Sequence, residues 1–175
     1  MIAILQSIGP GWCGEIADLR KKIEVRKTRP RRELQIKVYM YCTIGPHFWR
    51  TTKPRDAFYP KGWTCPANGS IFGEYTLRKV DTYAYGPDSD QGADPGAMMY
   101  YITTAEGEFT GMEYDKFAEY GGGKTLYGWY IEDLVIYDRP KTIRDMHFTN
   151  TTTIPSRSIV FPPQSWCDVE VPDEH

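Results

Sequence analysis

The segment Leu19-Arg20-Lys21-Lys22-Ile23-Glu24-Val25-Arg26-Lys27-Thr28-Arg29-Pro30 joins a short alternating strand to a dense basic turn. Side chains alternate across a strand, so Ile23 and Val25 point one way while Lys22, Glu24 and Arg26 point the other. A strand that buries one face and sets a carboxylate between two cations on the other suits the floor of a polar pocket. The same trio also reads as a surface ion-pair row, which contributes little to stability. Between Arg20 and Lys37 there are nine bases and only two acids, Glu24 and Glu33. The whole chain carries −2, so this surplus of seven leaves −9 for the rest. A basic patch on an acidic body fits a local phosphate contact better than a general coat of nucleic acid.

On the N-terminal side, the apolar run Ile2–Ile8 predicts a short buried strand. Gly9-Pro10-Gly11 ends it, and Pro10 fits the first turn of a helix. Trp12, Ile16 and Leu19 recur at helical spacing, which predicts a helix over about Pro10–Arg20. On the C-terminal side, Glu33–Cys42 reads as a strand, with Leu34, Ile36, Val38, Met40 and Cys42 on one face. Its second face carries Tyr39 and Tyr41, which predicts a covering ligand or loop. Ser70–Tyr83 reads as one long strand in which Gly73 marks a bulge or a close backbone approach and Glu74 is an isolated carboxylate. Further elements are a short strand at Met98–Thr103, a helix at Glu113–Tyr120, a strand at Leu126–Tyr137, a helical turn at Lys141–Met146, a polar loop at Thr149–Thr153 and a last strand within Ser158–Val171.

The length of 175 residues allows one domain, with long inserted loops near 43–69 and 86–111. No apolar run approaches the roughly 20 residues of a membrane helix. No basic region precedes Ile2–Ile8 and no cleavage pattern follows it, so the cytoplasm is the expected compartment. Cys13, Cys42, Cys65 and Cys167 form no Cys-x-x-Cys pair, and His47, His147 and His175 complete no ligand set. Free thiols, no metal and no cofactor are expected.

The loop 43–69 holds Phe48, Trp49, Phe58, Tyr59 and Trp63 among Arg50, Lys53, Arg55 and Lys61. Such a mixture suits base stacking with phosphate contact, and equally a satellite core that pins the loop down. Ala118–Thr125 matches a relaxed phosphate-loop pattern, Gly-Gly-Gly-Lys-Thr included. That chemistry needs a strand before the glycines and a helix after them, and here the predicted order is reversed.

Five blocks together carry a family resemblance: Ser7-Ile8-x-Pro10; Lys21-x-x-Glu24-x-Arg26-Lys27-Thr28-Arg29-Pro30; Ile71-Phe72-Gly73-Glu74-Tyr75; Leu126-Tyr127-Gly128-Trp129-Tyr130-Ile131; and Pro162-Pro163-Gln164-Ser165-Trp166. The second block resembles the G-x-K-x-x-E-x-R signature of ASCH domains, members of the PUA-like superfamily, with Leu19 in place of the glycine. The last two blocks look most like members carried by phages and gut bacteria. The resemblance implies an α+β fold: a small PUA-like β-barrel of six or seven strands flanked by two or three short helices. It also implies binding of RNA or modified nucleobases in a cleft beside the signature strand.

On this reading Lys21, Glu24, Arg26 and Lys27 line the cleft, Arg29, Arg31 and Arg32 meet phosphates, and Trp49 or Trp129 stacks a base. The expected partner is RNA, another single-stranded nucleic acid or a modified nucleoside. A second possibility is a small hydrolase, because relatives deacylate N4-acetylcytidine with a Lys, a Thr and a Glu. Lys21 matches that lysine, and Glu24 stands at the threonine position. The distal glutamate has Glu113 as its only suggestion. Lys21 and Glu24 would then be the catalytic pair, acting on an acylated nucleoside or as a ribonuclease. A third possibility is a phage-encoded factor that binds a host protein through the aromatic loop.

Overall fold

A computed structural model describes residues 1–44, 67–83, 110, 114–151 and 157–172. Trp49, Glu113, the aromatic part of the 43–69 loop and the expected strand Met98–Thr103 lie outside the described residues.

The first strand, β1 (Ile2–Ile8), lies inside the larger of two sheets. It pairs in parallel with β3 (Ile36–Cys42) and antiparallel with β9 (Trp166–Glu170). Ala3 to Ile8 are all buried, as expected for a strand covered on both faces. Beyond β3 come β4 (Ser70–Leu77) and β7 (Glu132–Lys141), and beyond β9 the two-residue β8 (Thr149–Asn150). A second sheet of three strands has the order β2 (Ile23–Arg26), β6 (Leu126–Tyr130), β5 (Val80–Tyr83).

The main core lies on one side of the large sheet, where Ile4, Ile8, Val38, Met40 and Leu77 meet Cys13 and Ile16 of α1 (Pro10–Ala17) and Trp129 of β6. On the opposite side Ala3, Leu5, Tyr39, Tyr41 and Ile71 pack under Ile143 and Phe148. The two tyrosines of β3 are therefore covered by the 143–148 segment, with the Tyr39 and Phe148 rings 5.0 Å apart.

Helix α1 ends at Ala17, three residues short of the predicted end. Leu19 stands at φ 59°, in the left-handed region. The Leu19 N–H donates to the Ile16 carbonyl at 2.9 Å and the Arg20 N–H to the Glu15 carbonyl at 2.9 Å. This is the Schellman pair that closes a helix through a left-handed residue.

The expected strands Ser70–Tyr83 and Leu126–Tyr137 each break in two. Both bend at one corner, where Tyr130 N–H reaches the Lys79 carbonyl at 3.1 Å. Arg78 there clamps Glu132 at 3.1 Å and Asp133 at 2.5 Å. Before the corner, β4 pairs with β7 in the large sheet; past it, β5 pairs with β6 in the small one. The sheets are joined at this corner, and no described strand closes the opposite side. Among the described residues the strands form a six-stranded and a three-stranded sheet and do not close the expected small β-barrel; the two splits, with β8 where a polar loop was expected, bring the described strands to nine.

Gly73 is both a bulge neighbour and a close approach: register shifts flank it, and a Cβ there would overlap the Val135 carbonyl. Of the last predicted strand only Trp166–Glu170 forms a ladder, since Pro162 and Pro163 cannot donate to one. The polar stretch after Thr149 begins with β8 and bridges to Ser158. The second helix, α2 (Tyr114–Gly121), precedes Lys124, and β6 follows it. No described helix follows the glycines, so the phosphate-loop pattern lacks its helix N-terminus. No described helix is long and apolar enough to cross a membrane.

Candidate functional site

Because β2 starts only at Ile23, its alternation does not reach back to Lys22. Lys22 is exposed, and Lys21 turns inward in its place. The polar face of β2 is not a surface row. Lys21, Glu24 and Arg26 are 2, 6 and 7% exposed, between the small sheet, β1 and α1. Arg26 Nη2 lies 2.9 Å from Glu24 Oε1 and donates to the Ser7 carbonyl at 2.6 Å. Its Nη1 is 3.4 Å from Ser165 Oγ. Lys21 Nζ lies 3.4 Å from Glu24 Oε2, donates to the Thr110 carbonyl, and sits 4.8 Å from the centre of the Trp12 ring.

Taking these groups out of water decides their protonation. Burial lowers the Lys21 pKa, and the Glu24 charge opposes that shift. Burial pushes the Cys13 thiol well above its ordinary value, with Cys42 beside it adding to the effect. Tyr75 is raised far above its usual range by burial and then by the Glu24 charge, and its hydroxyl donates to Gln6 Oε1 at 3.1 Å. Among the described residues Gln6 Nε2 and Arg26 Nε have no hydrogen-bond partner, and Glu24 Oε2 meets only the Lys21 ammonium, at 3.4 Å. A buried polar group left in that state costs about 1–3 kcal/mol.

After Arg26 the chain crosses back over the small sheet as a strap, residues 27–32. Thr28 pins its first half. The Thr28 carbonyl accepts from Trp129 Nε1 at 3.3 Å, and Thr28 Oγ1 accepts from Trp166 Nε1 at 2.9 Å. The two indoles meet edge to face at 5.4 Å. Between strap and sheet runs a groove of about 650 Å³, lined by Lys27–Arg32 with Leu34, Val80 and Tyr127. Register places Tyr127 directly opposite Arg26, and Trp129 opposite both Glu24 and Val80. Groove and buried cluster therefore share one sheet face.

The predicted site residues divide accordingly. Lys21, Glu24 and Arg26 come together in the buried cluster. Lys27, Arg29, Arg31 and Arg32 line the groove. Arg32 is committed elsewhere, to Asp168 at 3.0 Å and the Ala3 carbonyl at 3.4 Å. Trp129 is 0% exposed, so the expectation that it stacks a base gives way to a role as core and strap anchor. Sequence reasoning assigned no part to Gln6, Tyr75, Thr28 or Tyr127. Tyr127 had one usable signal, its alternation with Trp129 on a strand that register alone sets against β2. Among the described residues no His, Cys, Asp and Glu group is arranged to hold a metal, and Cys13, Cys42 and Cys167 are free thiols.

No family model matches the sequence, and no curated protein matches it. Solved structures do. The crystal structure of ASCH from Zymomonas mobilis has a TM-score of 0.54 and 15% identity over 94% of this chain and 85% of that one. A Tyr-to-Phe variant of that protein gives 0.53 and 14% over 94% and 87%. A Ser-to-Ala variant gives 0.53 and 14% over 94% and 85%. At this identity the likeness establishes the fold, which is that of the ASCH structures.

Proposed function

We propose, from the ASCH fold and the groove beside β2, that this protein binds single-stranded nucleic acid, RNA foremost, or a modified nucleotide. The observation that carries the proposal is the state of the strap cations. Arg20, Arg32, Lys37, Arg78 and Lys79 each face a carboxylate. Lys27, Arg29 and Arg31 are exposed, line the groove, and have no carboxylate partner among the described residues. Cations left unpaired around an apolar floor suit a phosphate backbone with a base beside it. The buried Lys21–Glu24–Arg26 cluster then holds β2, and with it the start of the strap, against β1.

A second reading, hydrolysis of an acylated nucleoside, has one observation in its favour: burial draws the Lys21 pKa down, as a proton-transfer amine requires. Position 24 counts against it, since a carboxylate cannot take the place of a hydroxyl nucleophile without a different mechanism. One experiment separates the two. Short labelled RNA, single-stranded DNA and N4-acetylcytidine are titrated at two salt concentrations, with product followed in the same samples. Salt-dependent RNA binding without turnover is expected, and Arg31→Ala should reduce the log–log salt slope by about one. Absence of salt-sensitive binding to any of the three ligands would refute the binding proposal.

A further inference from the structure

We infer that Tyr127 is a stacking platform for one unpaired nucleobase, with the Arg29 guanidinium as its cover and Lys27 and Arg31 as phosphate contacts. The inference rests on the nucleic-acid reading above and narrows it to a single-stranded ligand with an accessible base.

The composition of the groove points to this ligand class. Its floor is apolar, formed by Leu34, Val80 and Tyr127, and its rim is the basic strap. Its volume of about 650 Å³ falls in the range of small-ligand sites, about 300–1,000 Å³. A duplex would meet the rim with its phosphates and leave the floor empty, because its bases are already stacked on one another. An unpaired nucleotide uses both, with an aromatic face beneath the base and cations at the phosphate.

Tyr127 suits the role for a second, independent reason. It lies on β6, the middle strand of the small sheet, hydrogen-bonded through Arg26 on one side and Thr82 on the other. Its backbone is therefore fixed, while its side chain is only half-buried. Trp129, two residues on and on the same face, is sealed under Thr28 and cannot serve. The Arg29 guanidinium carbon sits 5.7 Å from the Tyr127 ring centre. That cation–π contact is the one a base would replace, with the guanidinium stacking on the outer face of the base.

The test compares a short labelled RNA with an abasic phosphodiester of the same length, by fluorescence anisotropy at fixed salt. Wild-type protein should prefer the RNA by about tenfold or more, the worth of one stacked base. Tyr127→Phe should keep that preference. Tyr127→Leu should bind both ligands equally, at an unchanged salt slope, and duplex RNA should compete no better than the abasic strand. Equal wild-type affinity for the two strands, or a preference that survives in Tyr127→Leu, overturns the inference and leaves the binding proposal standing. A wild type that binds neither strand overturns both. If Tyr127→Leu loses the fold, the exposed Arg29→Ala variant takes its place: a reduced preference is expected, and an undiminished one refutes the stacking role.

Discussion

Leu19 is exposed by 52% yet sits at φ 59°, a conformation that an L side chain adopts at a cost of about 1–2 kcal/mol. The signature this segment resembles carries glycine there, and in this chain the position closes the Schellman turn that ends α1 and launches the chain toward β2. That turn, followed by a strand that begins only at Ile23, sends Lys21 inward and Lys22 outward. Replacing Leu19 by glycine removes the steric cost but adds unfolded-state entropy, which returns about 0.5–1 kcal/mol. Leu19→Gly should therefore stabilise the protein by about 0.5–1 kcal/mol in urea titrations. Leu19→Val, β-branched at the same φ, should destabilise it. A loss of stability in the glycine variant would mean that the Leu19 side chain makes a contact worth more than the turn.

The element that shapes the groove is the strap. It has no ladder of its own, and its position comes from Thr28 held by two tryptophans, with Lys27 and Arg29 on either side, and from Arg32 bound to Asp168 and the Ala3 carbonyl. Thr28→Val keeps the shape of the side chain but leaves Trp166 Nε1 without its acceptor. A cost of about 0.5–1.5 kcal/mol is expected, the net worth of one hydrogen bond. The paired indoles should also lose near-ultraviolet dichroism, and RNA affinity should fall as the strap loosens. Thr28→Ser restores the hydroxyl and should recover both signals. Recovery of stability without recovery of affinity would show that the pin serves the core alone.

For the molecule as a whole, buried acids set the response to alkali. Burial raises Cys13 well above 9.0 and Tyr75 far above 10.0, and pushes Cys167 up to about 11. Each keeps a proton when folded that the unfolded chain gives up, so the native state binds more protons and stability falls as pH rises past about 9. Lys21 has the opposite sign: its pKa is lowered, and its contribution grows between that lowered value and 10.5. Burial also raises Tyr41 and Tyr120, so one lysine stands against five acids among the described residues and a net loss remains. The fully buried Cys13 and Tyr75 are each worth about 1.4 kcal/mol per pH unit while they titrate only in the unfolded state, and half-buried Cys167 is worth less. The urea midpoint should fall steadily from pH 9 to 11, and Tyr75→Phe should flatten the fall. A midpoint independent of pH over that interval would contradict the burial of these groups.

Short-range periodicity already contains β1, the apolar faces of β3 and β4, the helix near Tyr114, and the order of helix and strand around the Gly-Gly-Gly-Lys-Thr stretch. These depend on a residue and its neighbours two to four positions away, so they are readable in one dimension. The concentration of cations between Arg20 and Lys37 is readable in the same way. The corner at Arg78–Lys79 is not, because a strand of good composition gives no local sign that its two halves will join different sheets. The signature resemblance already points to Lys21 beside Glu24 where strand alternation points to Lys22; the three-dimensional arrangement alone decides that Arg32 is bound to Asp168, and that Trp129 is core while Tyr127 faces the groove. Each of those outcomes is set by pairing across sequence separations of up to more than a hundred residues. Which of several chemically equivalent cations or rings stays free for a ligand is fixed only when the others have found their partners.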